Sequence, residues 1–291
     1  MSLLDRLLND PPPAFAFEIS EAGVAFARTA APQDVKFQPL PDGALQVSPL
    51  HDNVQNAEEL TQALGRLAPV QQGKKRRAAL VLPDYAARVA VLDFDSLPDS
   101  AEEQRSLIRF RIKKGVPFDL DAAVLSYYPQ TRRNGHIDVV VAVVAREIVG
   151  RFEEVFRAAG YQAGHIVPSS LAALNLLSAD EITVFAKLSG RALSVMVLDG
   201  PTLKLARCVE MDDTTPADIM SVLHPTMVYI EDELGSRAKR VITCGFGGLA
   251  PELSEEWGRE WSVPVQPVQS RFGALRDNSA GLAGYMESLA A

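Results

Sequence analysis

The sequence predicts an α/β fold of two similar lobes, and three observations support this. The chain has 291 residues, which is long for one compact core and favours about two domains. Both halves open with the same motif, because a hairpin of alternating apolar residues begins at Phe15 and a longer one begins at Ile182. Helical and strand patterns alternate after each hairpin. We therefore expect a first lobe over residues 1–179, a second over 180–291, and a cleft between them.

Composition excludes several classes of function. The formal net charge is -8, so the chain lacks the basic surface that nucleic-acid binding needs. Cys208 and Cys244 lie far apart in predicted strands, which indicates buried thiols rather than a disulfide framework or a zinc site. The histidines show no metal-ligand spacing, and neither a Walker loop nor a GxSxG elbow occurs.

The sequence also predicts a cytoplasmic protein. No stretch approaches the ~18 consecutive apolar residues that span a bilayer, and the N-terminus is too short and charge-interrupted for a signal peptide. Leucines at residues 3, 4, 7 and 8 share one helical face. That face either touches a membrane or a partner, or packs on its own domain, which is the more common arrangement.

In the first lobe, turn and periodicity signals predict each element. A hairpin spans residues 15–28, a second hairpin turns at residues 41–43, and a helix follows over 57–67. Further on, a helix over residues 146–159 ends at Gly160, and a short helix covers 170–177.

Between these elements, residues 86–144 are predicted to form an inserted module of a strand, a helix and two strands. Its helix, over residues 100–114, has a capping box made by Ser100 and Glu103. Gly115 suits the C-terminal cap, and Pro117 with Phe118 ends the helix.

The second lobe is predicted to open with three strands over residues 182–209. A helix from Thr215 to Leu234 follows, then a strand that leads into a glycine loop at Gly245. Another helix, a short strand and a C-terminal helix from about Ala280 complete this lobe.

Several segments, taken together and in order, resemble the type IV pilus assembly PilM family. They are the hairpin FAFEIS and the segments LIRFRIKKGVPFDLDAAVLSYY, DVVVAVVAREIVGRFEEVFRAAGYQAGHIVPSSLAALNLL and VITCGFGGLAPELSEEW. That family is similar to the cell-division protein FtsA within the actin, chaperone and sugar-kinase superfamily. The resemblance implies an actin-like fold of two ribonuclease-H-like lobes, with an FtsA-type 1C subdomain at about 86–144 and a reduced 2B subdomain at about 210–239.

The resemblance further implies a nucleotide cleft with a degenerate first phosphate loop. This loop aligns with residues 16–20, where Glu18 keeps the acid and Ser20 stands in place of a glycine. Both glycines are gone, and a Cβ hinders the approach of backbone amides to phosphate. Glu18 is alternatively a surface residue at a hairpin end.

The second phosphate loop aligns with residues 186–188 and has lost its acid. Lys187, Ser189 and Gly190 are the remaining candidates for phosphate contact, and the adenosine loop aligns with Gly245, Gly247 and Gly248. Two lost phosphate contacts weaken ATP by about 3 to 6 kcal/mol. That loss is roughly 10² to 10⁴-fold in affinity. We therefore expect no cofactor, or ATP with Mg²⁺ bound only weakly.

The leading hypothesis is a non-catalytic scaffold, cytoplasmic and peripheral to the inner membrane. As the resemblance implies, it binds the N-terminal tail of a PilN-like inner-membrane protein and other pilus assembly proteins, reaches the membrane only through partners, and self-associates. Pro117, Phe118 and the module helix are candidates for a peptide groove. Arg105 and Arg109 either pair with acidic groups there or form a solvated helix face.

Two alternatives stay open. An active ATPase of the same superfamily would need Glu18 and a second acid, such as Asp199 or Asp213, to enter the cleft. A GspL-like cytoplasmic component of type II secretion would share the fold and the scaffold role.

Overall fold

The computed structural model describes residues 12–68, 76–131, 135–178, 180–276 and 278–290. The leucines at residues 3, 4, 7 and 8, for which a shared helical face is predicted, lie outside these residues. The described part forms three β-sheets and the helices that cover them. The strands, in chain order, are β1 Phe15–Ser20, β2 Gly23–Arg28, β3 Ala31–Pro39, β4 Arg76–Leu82, β5 Arg88–Phe94, β6 Ala123–Thr131, β7 Ile137–Ala145, β8 Tyr161–Pro168, β9 Thr183–Ser189, β10 Ala192–Asp199, β11 Thr202–Glu210, β12 Arg240–Cys244 and β13 Val265–Pro267.

The α-helices begin and end close to the predicted residues. They are α1 Ala57–Leu67, α2 Ala101–Ile112, α3 Arg146–Ala158, α4 Ser169–Ala173, α5 Pro216–Leu234, α6 Ala250–Trp261 and α7 Ala280–Leu289. The predicted caps form: Ser100 accepts a hydrogen bond from the Glu103 N–H, and Thr215 accepts one from the Asp218 N–H. Local capping chemistry therefore sets where α2 and α5 begin.

Two five-stranded sheets repeat one topology. The first has the order β3-β2-β1-β4-β8 and the second the order β11-β10-β9-β12-β13. In both, three antiparallel strands are followed by two parallel ones. The similarity between the two halves of the chain, predicted from their opening hairpins, is confirmed.

Each of these sheets is covered on both faces. The first packs one face on α1 and α3 through large buried side chains and the other on α4 and α7. The second packs one face on α5 and α6 through a core that includes Trp257. Its other face contacts α4 and the third sheet through Met196, Leu198 and Leu203. The inner faces of the two sheets thus meet around α4 and α7.

The third sheet, β5-β7-β6, corresponds to the predicted inserted module. Helix α2 covers one face, where Ile108 and Ile112 pack against the valines of β7. On the other face, Val91 and Val140 pack against the second sheet. The module therefore bridges the two halves of the chain instead of projecting into solvent.

The predicted hairpin at residues 41–43 is wrong. Strand β3 pairs with β2 instead, and the segment after residue 41 contains only a single bridge between Leu45 and Val54 in the described structure. The Asn53 side chain donates to the carbonyl oxygens of Ser48 and His51, at 2.7 Å each. Side-chain bonds of this kind satisfy the backbone locally and compete with a strand ladder.

The division at residue 180 stays a prediction, but one contact bears on it. Helix α7, which the sequence assigned to the second lobe, packs against the first sheet through Leu282, Tyr285 and Met286. It crosses α4 so closely that a Cβ on Gly284 would lie 2.1 Å from the Ala172 carbonyl oxygen. The chain thus returns to its first sheet at the C-terminus.

We expect Gly284→Ala to destabilise the protein by about 1–3 kcal/mol, because the new methyl group overlaps the backbone of α4. Gly65→Ala in α1 is the matched control, since its new methyl group would have no atom within 4 Å apart from its chain neighbours and the backbone of its own helix. It should stabilise the protein by about 0.4–1 kcal/mol. Urea denaturation measures both changes; equal effects would show that α4 and α7 do not cross this tightly.

Candidate functional site

The cleft between the first two sheets brings together three charged side chains. Glu18 lies on β1, Lys187 lies on β9, and Asp84 follows directly after β4 in the one-turn 3₁₀ helix Asp84–Ala86. All three are buried. Because β1 and β9 hold the same place in their sheets, the two halves of the repeat face each other here.

Lys187 and Asp84 form a buried ion pair across the cleft. The Lys187 Nζ lies 2.7 Å from Asp84 Oδ2, and the side chains are 5% and 2% exposed. Asp84 Oδ1 accepts a hydrogen bond of 2.5 Å from the Ser170 N–H at the start of α4. Burial by itself lowers the pKa of Lys187, but the carboxylates of Asp84 and Glu18 outweigh it and raise that pKa above its usual value.

Glu18 holds the first turn of α7. Its Oε2 accepts a hydrogen bond of 2.8 Å from the Leu282 N–H, and its Oε1 accepts one from the Ser169 hydroxyl. A carboxylate suits this end of a helix because the free N–H groups carry partial positive charge. Burial raises the pKa of Glu18, while Lys187 and the two hydrogen bonds oppose that rise.

Gly281 makes this arrangement of Glu18 possible. A Cβ on that residue would lie 2.5 Å from the Ser169 hydroxyl oxygen and 2.9 Å from Glu18 Oε1.

All four carboxylate oxygens of Glu18 and Asp84 accept hydrogen bonds from protein donors. The interpretation of Glu18 as a surface residue is wrong, because it is 3% exposed.

The remaining predicted cleft residues have roles in the turns. The Ser20 hydroxyl donates to the Gly23 carbonyl oxygen at 3.0 Å and so closes the first hairpin. Gly190 occupies the turn between β9 and β10 beside Ser189. Gly245 has a φ of 78° and lies so close to β9 that a Cβ would be 2.0 Å from the Leu188 carbonyl oxygen.

Two small cavities flank the ion pair. One, of ≈ 150 Å³, is lined by Lys187, Ser189 and Gly245, among others. The second, of ≈ 100 Å³, is lined by Ser20, Ser189 and Gly190 with neighbouring residues. Gly247 and Gly248 are exposed beyond Gly245 and line neither cavity. Sites for drug-sized ligands and cofactors measure about 300–1,000 Å³.

The sequence did not identify Asp84 as the second acid of the cleft. Asp199 and Asp213, the proposed candidates, are wrong: both are exposed, and Asp213 caps the N–H of its neighbour Thr214. One signal for Asp84 was present, since it follows the carboxyl end of a buried parallel strand. Acids in that position frequently enter a site.

The predicted partner residues do not converge on one groove. Arg109 donates to Asp121 Oδ1 and to the Leu120 carbonyl oxygen, both at 2.7 Å, inside the module. Phe118 packs against the module core, whereas Arg105 and Pro117 are exposed. Exposed apolar side chains occur elsewhere on the module, at Phe110, Val124 and Tyr128.

Solved structures identify the fold. The chain superposes on a "PilM-PilN type IV pilus biogenesis complex" with a TM-score of 0.68 and 17% identity, over 95% of this chain and 98% of the other. A Bacteroides thetaiotaomicron protein with an actin-like ATPase fold gives a TM-score of 0.53 and 13% identity, covering 95% of both chains. The predicted actin-like fold is confirmed.

A third similar structure is the cytoplasmic domain of EpsL, an inner-membrane component of the type II secretion system of Vibrio cholerae. Its TM-score is 0.55 at 11% identity, over 95% of this chain and 94% of the other. No protein-family model and no curated protein sequence matches the chain. Among the helices that the structure describes, none combines the length and apolar character needed to cross a membrane.

We expect Lys187→Met to destabilise the protein by about 3–5 kcal/mol, because it leaves Asp84 buried without its cation. Adding Asp84→Asn should recover most of that loss, since the amide oxygen still accepts from the Ser170 N–H and residue 84 no longer carries a buried charge without its cation. Urea denaturation of the parent, both single variants and the double variant measures the coupling. Additive effects would contradict a direct ion pair.

We expect Glu18→Gln to change how stability depends on pH. A native pKa raised above the unfolded value of 4.5 means that the native state binds more protons, so stability falls as pH rises through that window. The glutamine amide does not titrate, so the variant lacks this loss of stability. Its free energy of unfolding should therefore rise relative to that of the parent as pH increases from 4.5 to the raised native pKa. Denaturation across that range tests this; parallel curves would contradict it.

Proposed function

We propose that the protein is a non-catalytic scaffold of a pilus assembly machine, which binds the cytoplasmic tail of a PilN-like inner-membrane protein. The proposal places it at the cytoplasmic side of the inner membrane, held there by partners. The observation that carries it is the Lys187–Asp84 ion pair in the cleft.

This ion pair opposes the chemistry of ATP hydrolysis. Phosphoryl transfer depends on Mg²⁺, which takes carboxylate oxygens and phosphate oxygens as ligands. The oxygens of Asp84 and Glu18 already accept from Lys187, Ser170, Ser169 and Leu282. A metal would have to displace these donors from a buried site, so we infer that Mg-nucleotide does not fit this cleft.

Cavity size supports the same inference. The cavities beside Lys187, of ≈ 150 and ≈ 100 Å³, are smaller than the usual range for cofactor sites. The module also restrains the lobes, because Asp138 on β7 pairs with Lys204 on β11 at 2.8 Å. Gln130 exchanges two hydrogen bonds with the backbone of Leu203, at 2.9 and 3.0 Å. Enlarging the cleft by moving the lobes apart would strain these bonds.

The surface that we propose for the partner tail is the outer edge of the module. Strand β6 is one of the two edge strands of its sheet, and Val124 and Tyr128 are 42% and 69% exposed. An extended peptide can add to such an edge through backbone hydrogen bonds, with apolar side chains giving specificity. The likeness to a PilM–PilN complex supports a tail of that kind as the ligand.

A second candidate is the equivalent scaffold of a type II secretion system. The likeness to the EpsL cytoplasmic domain favours it, and the cleft geometry is equally compatible with it. The identity of the partner separates the two candidates.

We expect a peptide copied from the N-terminal tail of the PilN-like protein to bind with a Kd of about micromolar order, while MgATP gives neither binding heat nor turnover. Tyr128→Lys should weaken the peptide at least tenfold, because it removes an aromatic contact beside β6. Phe110→Ser on α2 is the matched control, since it also removes an exposed aromatic side chain from the module. Calorimetry and phosphate release measure these outcomes.

ATP turnover that Glu18→Gln abolishes would overturn the scaffold proposal. Peptide binding that Phe110→Ser weakens and Tyr128→Lys does not would move the docking surface from β6 to α2. A secretion-system tail that binds more tightly than the pilus tail would favour the second candidate.

A further inference from the structure

Strand β6 offers free backbone groups to a partner along only part of its length. In an antiparallel sheet the N–H and C=O of one residue point to the same side, and successive residues point to opposite sides. Alternate residues of β6 therefore bond to β7, and the residues between them face away from the sheet. The set that faces away decides which groups a partner strand can reach.

Two observations indicate that the odd-numbered residues of β6 face away from β7. Pro129 lies opposite Val139 and has no N–H, and a proline within a strand places its nitrogen on the open side of an edge strand. At the other end, the Ala123 N–H donates to the Leu120 carbonyl oxygen of the 3₁₀ turn before β6 instead of to β7. Both observations give the same alternation.

The donors left between these two ends are the N–H groups of Leu125 and Tyr127. Both residues share the alternation of the ends, and no loop, turn or cap among the described residues accepts a hydrogen bond from either N–H. The open edge is thus bounded, because the donor at one end is used within the chain and the donor at the other end is missing. Gln130 lies just past this boundary, where its side chain bonds to the Leu203 backbone.

The side chains beside these donors are apolar on the exposed face of β6. Val124 and Tyr128 are both exposed and share this face with Ser126, because alternate side chains of a strand point the same way. In β5, the other edge strand of this sheet, which is described over its whole length, Asp93 is the only exposed residue. Val91 of β5 packs against the second sheet. The apolar open edge therefore belongs to β6.

We propose that the partner tail adds to β6 as a short antiparallel strand whose backbone bonds to Leu125 and Tyr127. This inference rests on the proposed function and specifies which part of the edge the tail uses. The antiparallel direction continues the pairing of β5, β7 and β6 and is slightly the more stable per residue. Two tail residues, two positions apart, then exchange hydrogen bonds with Leu125 and Tyr127.

The same register sets the side-chain pattern of the tail. The tail residues that lie opposite Val124 and Tyr128 are four positions apart, and covering these exposed side chains favours apolar residues at both places. The tail residue midway between them lies opposite Ser126, which is a small polar residue, so its apolar character matters less. The edge therefore fits an extended segment that has an apolar residue at each end.

Hydrogen exchange of the full chain, resolved to single amides by NMR, tests the alternation before any peptide is added. The amides of Leu125 and Tyr127 should exchange at least about tenfold faster than those of Ser126 and Tyr128, which bond to β7. In Pro129→Ala the new amide should also exchange fast. Slow exchange at Leu125, Tyr127 or the new amide would overturn the proposal, and slowing that grows with protein concentration would assign the edge to a second copy of the chain.

The second step adds a peptide copied from the N-terminal tail of the PilN-like protein. It should slow exchange at Leu125 and Tyr127 at least about tenfold and leave Ser126 and Tyr128 unchanged. N-methylation of the peptide, one residue at a time, should weaken binding at least about tenfold at two positions that are two apart. The residue between them is the matched control, because its N–H points away from β6. Calorimetry measures these affinities.

The outcomes separate this inference from the scaffold proposal. A tail that binds without slowing exchange at Leu125 and Tyr127, or that tolerates N-methylation at every position, would overturn the inference and leave the scaffold proposal standing. A tail that gives no binding heat would overturn both.

Discussion

The buried ion pair between Lys187 and Asp84 is the constraint on which the centre of the molecule depends. It joins β9 of one sheet to the end of β4 in the other at 2.7 Å, with both side chains almost fully buried. Two charges taken out of water at this depth are tolerated only when they neutralise each other and find further hydrogen bonds. Asp84 finds its second bond at the Ser170 N–H, so the pair fixes α4 as well as the two sheets. Lys187 and Asp84 thereby neutralise each other inside the cleft.

Glu18 extends this network to the end of the chain. Its bond to the Leu282 N–H connects residues that are 264 positions apart, and the closeness of Gly281 and Gly284 to α4 lets α7 complete the covering of the first sheet. The first lobe is therefore finished only after the second has been synthesised. Contacts this distant in sequence slow folding, because loop closure must precede the gain in packing.

The sequence was most informative where structure is decided locally. Capping at Ser100 and Thr215, glycine turns and apolar periodicity predicted most strands and helices to within a few residues, and the repeated hairpin predicted the two lobes. Local signals were insufficient at residues 41–43, where Asn53 bonds to backbone that a hairpin would otherwise use. The sequence predicted the candidate site less completely than it predicted the strands and helices. Lys187 and Glu18 could be located from the resemblance, but their burial, and their grouping with Asp84, arise from contacts between β1, β4, β9 and α7 that no local pattern encodes.

The two interlobe ion pairs bear on whether this fold works as a motor or as a support. A ligand drives lobe movement only through a difference in its affinity for the open and closed arrangements. Here Lys187 pairs with Asp84 inside the cleft, and Lys204 pairs with Asp138 at the module. Both pairs favour the arrangement described, and opening the lobes would separate buried charges at a cost of several kcal/mol each. A ligand in the cleft would have to recover that free energy before it produced any movement. Ion pairs that restrain the lobes would also restrain the module edge, which is the property that the proposed scaffold requires.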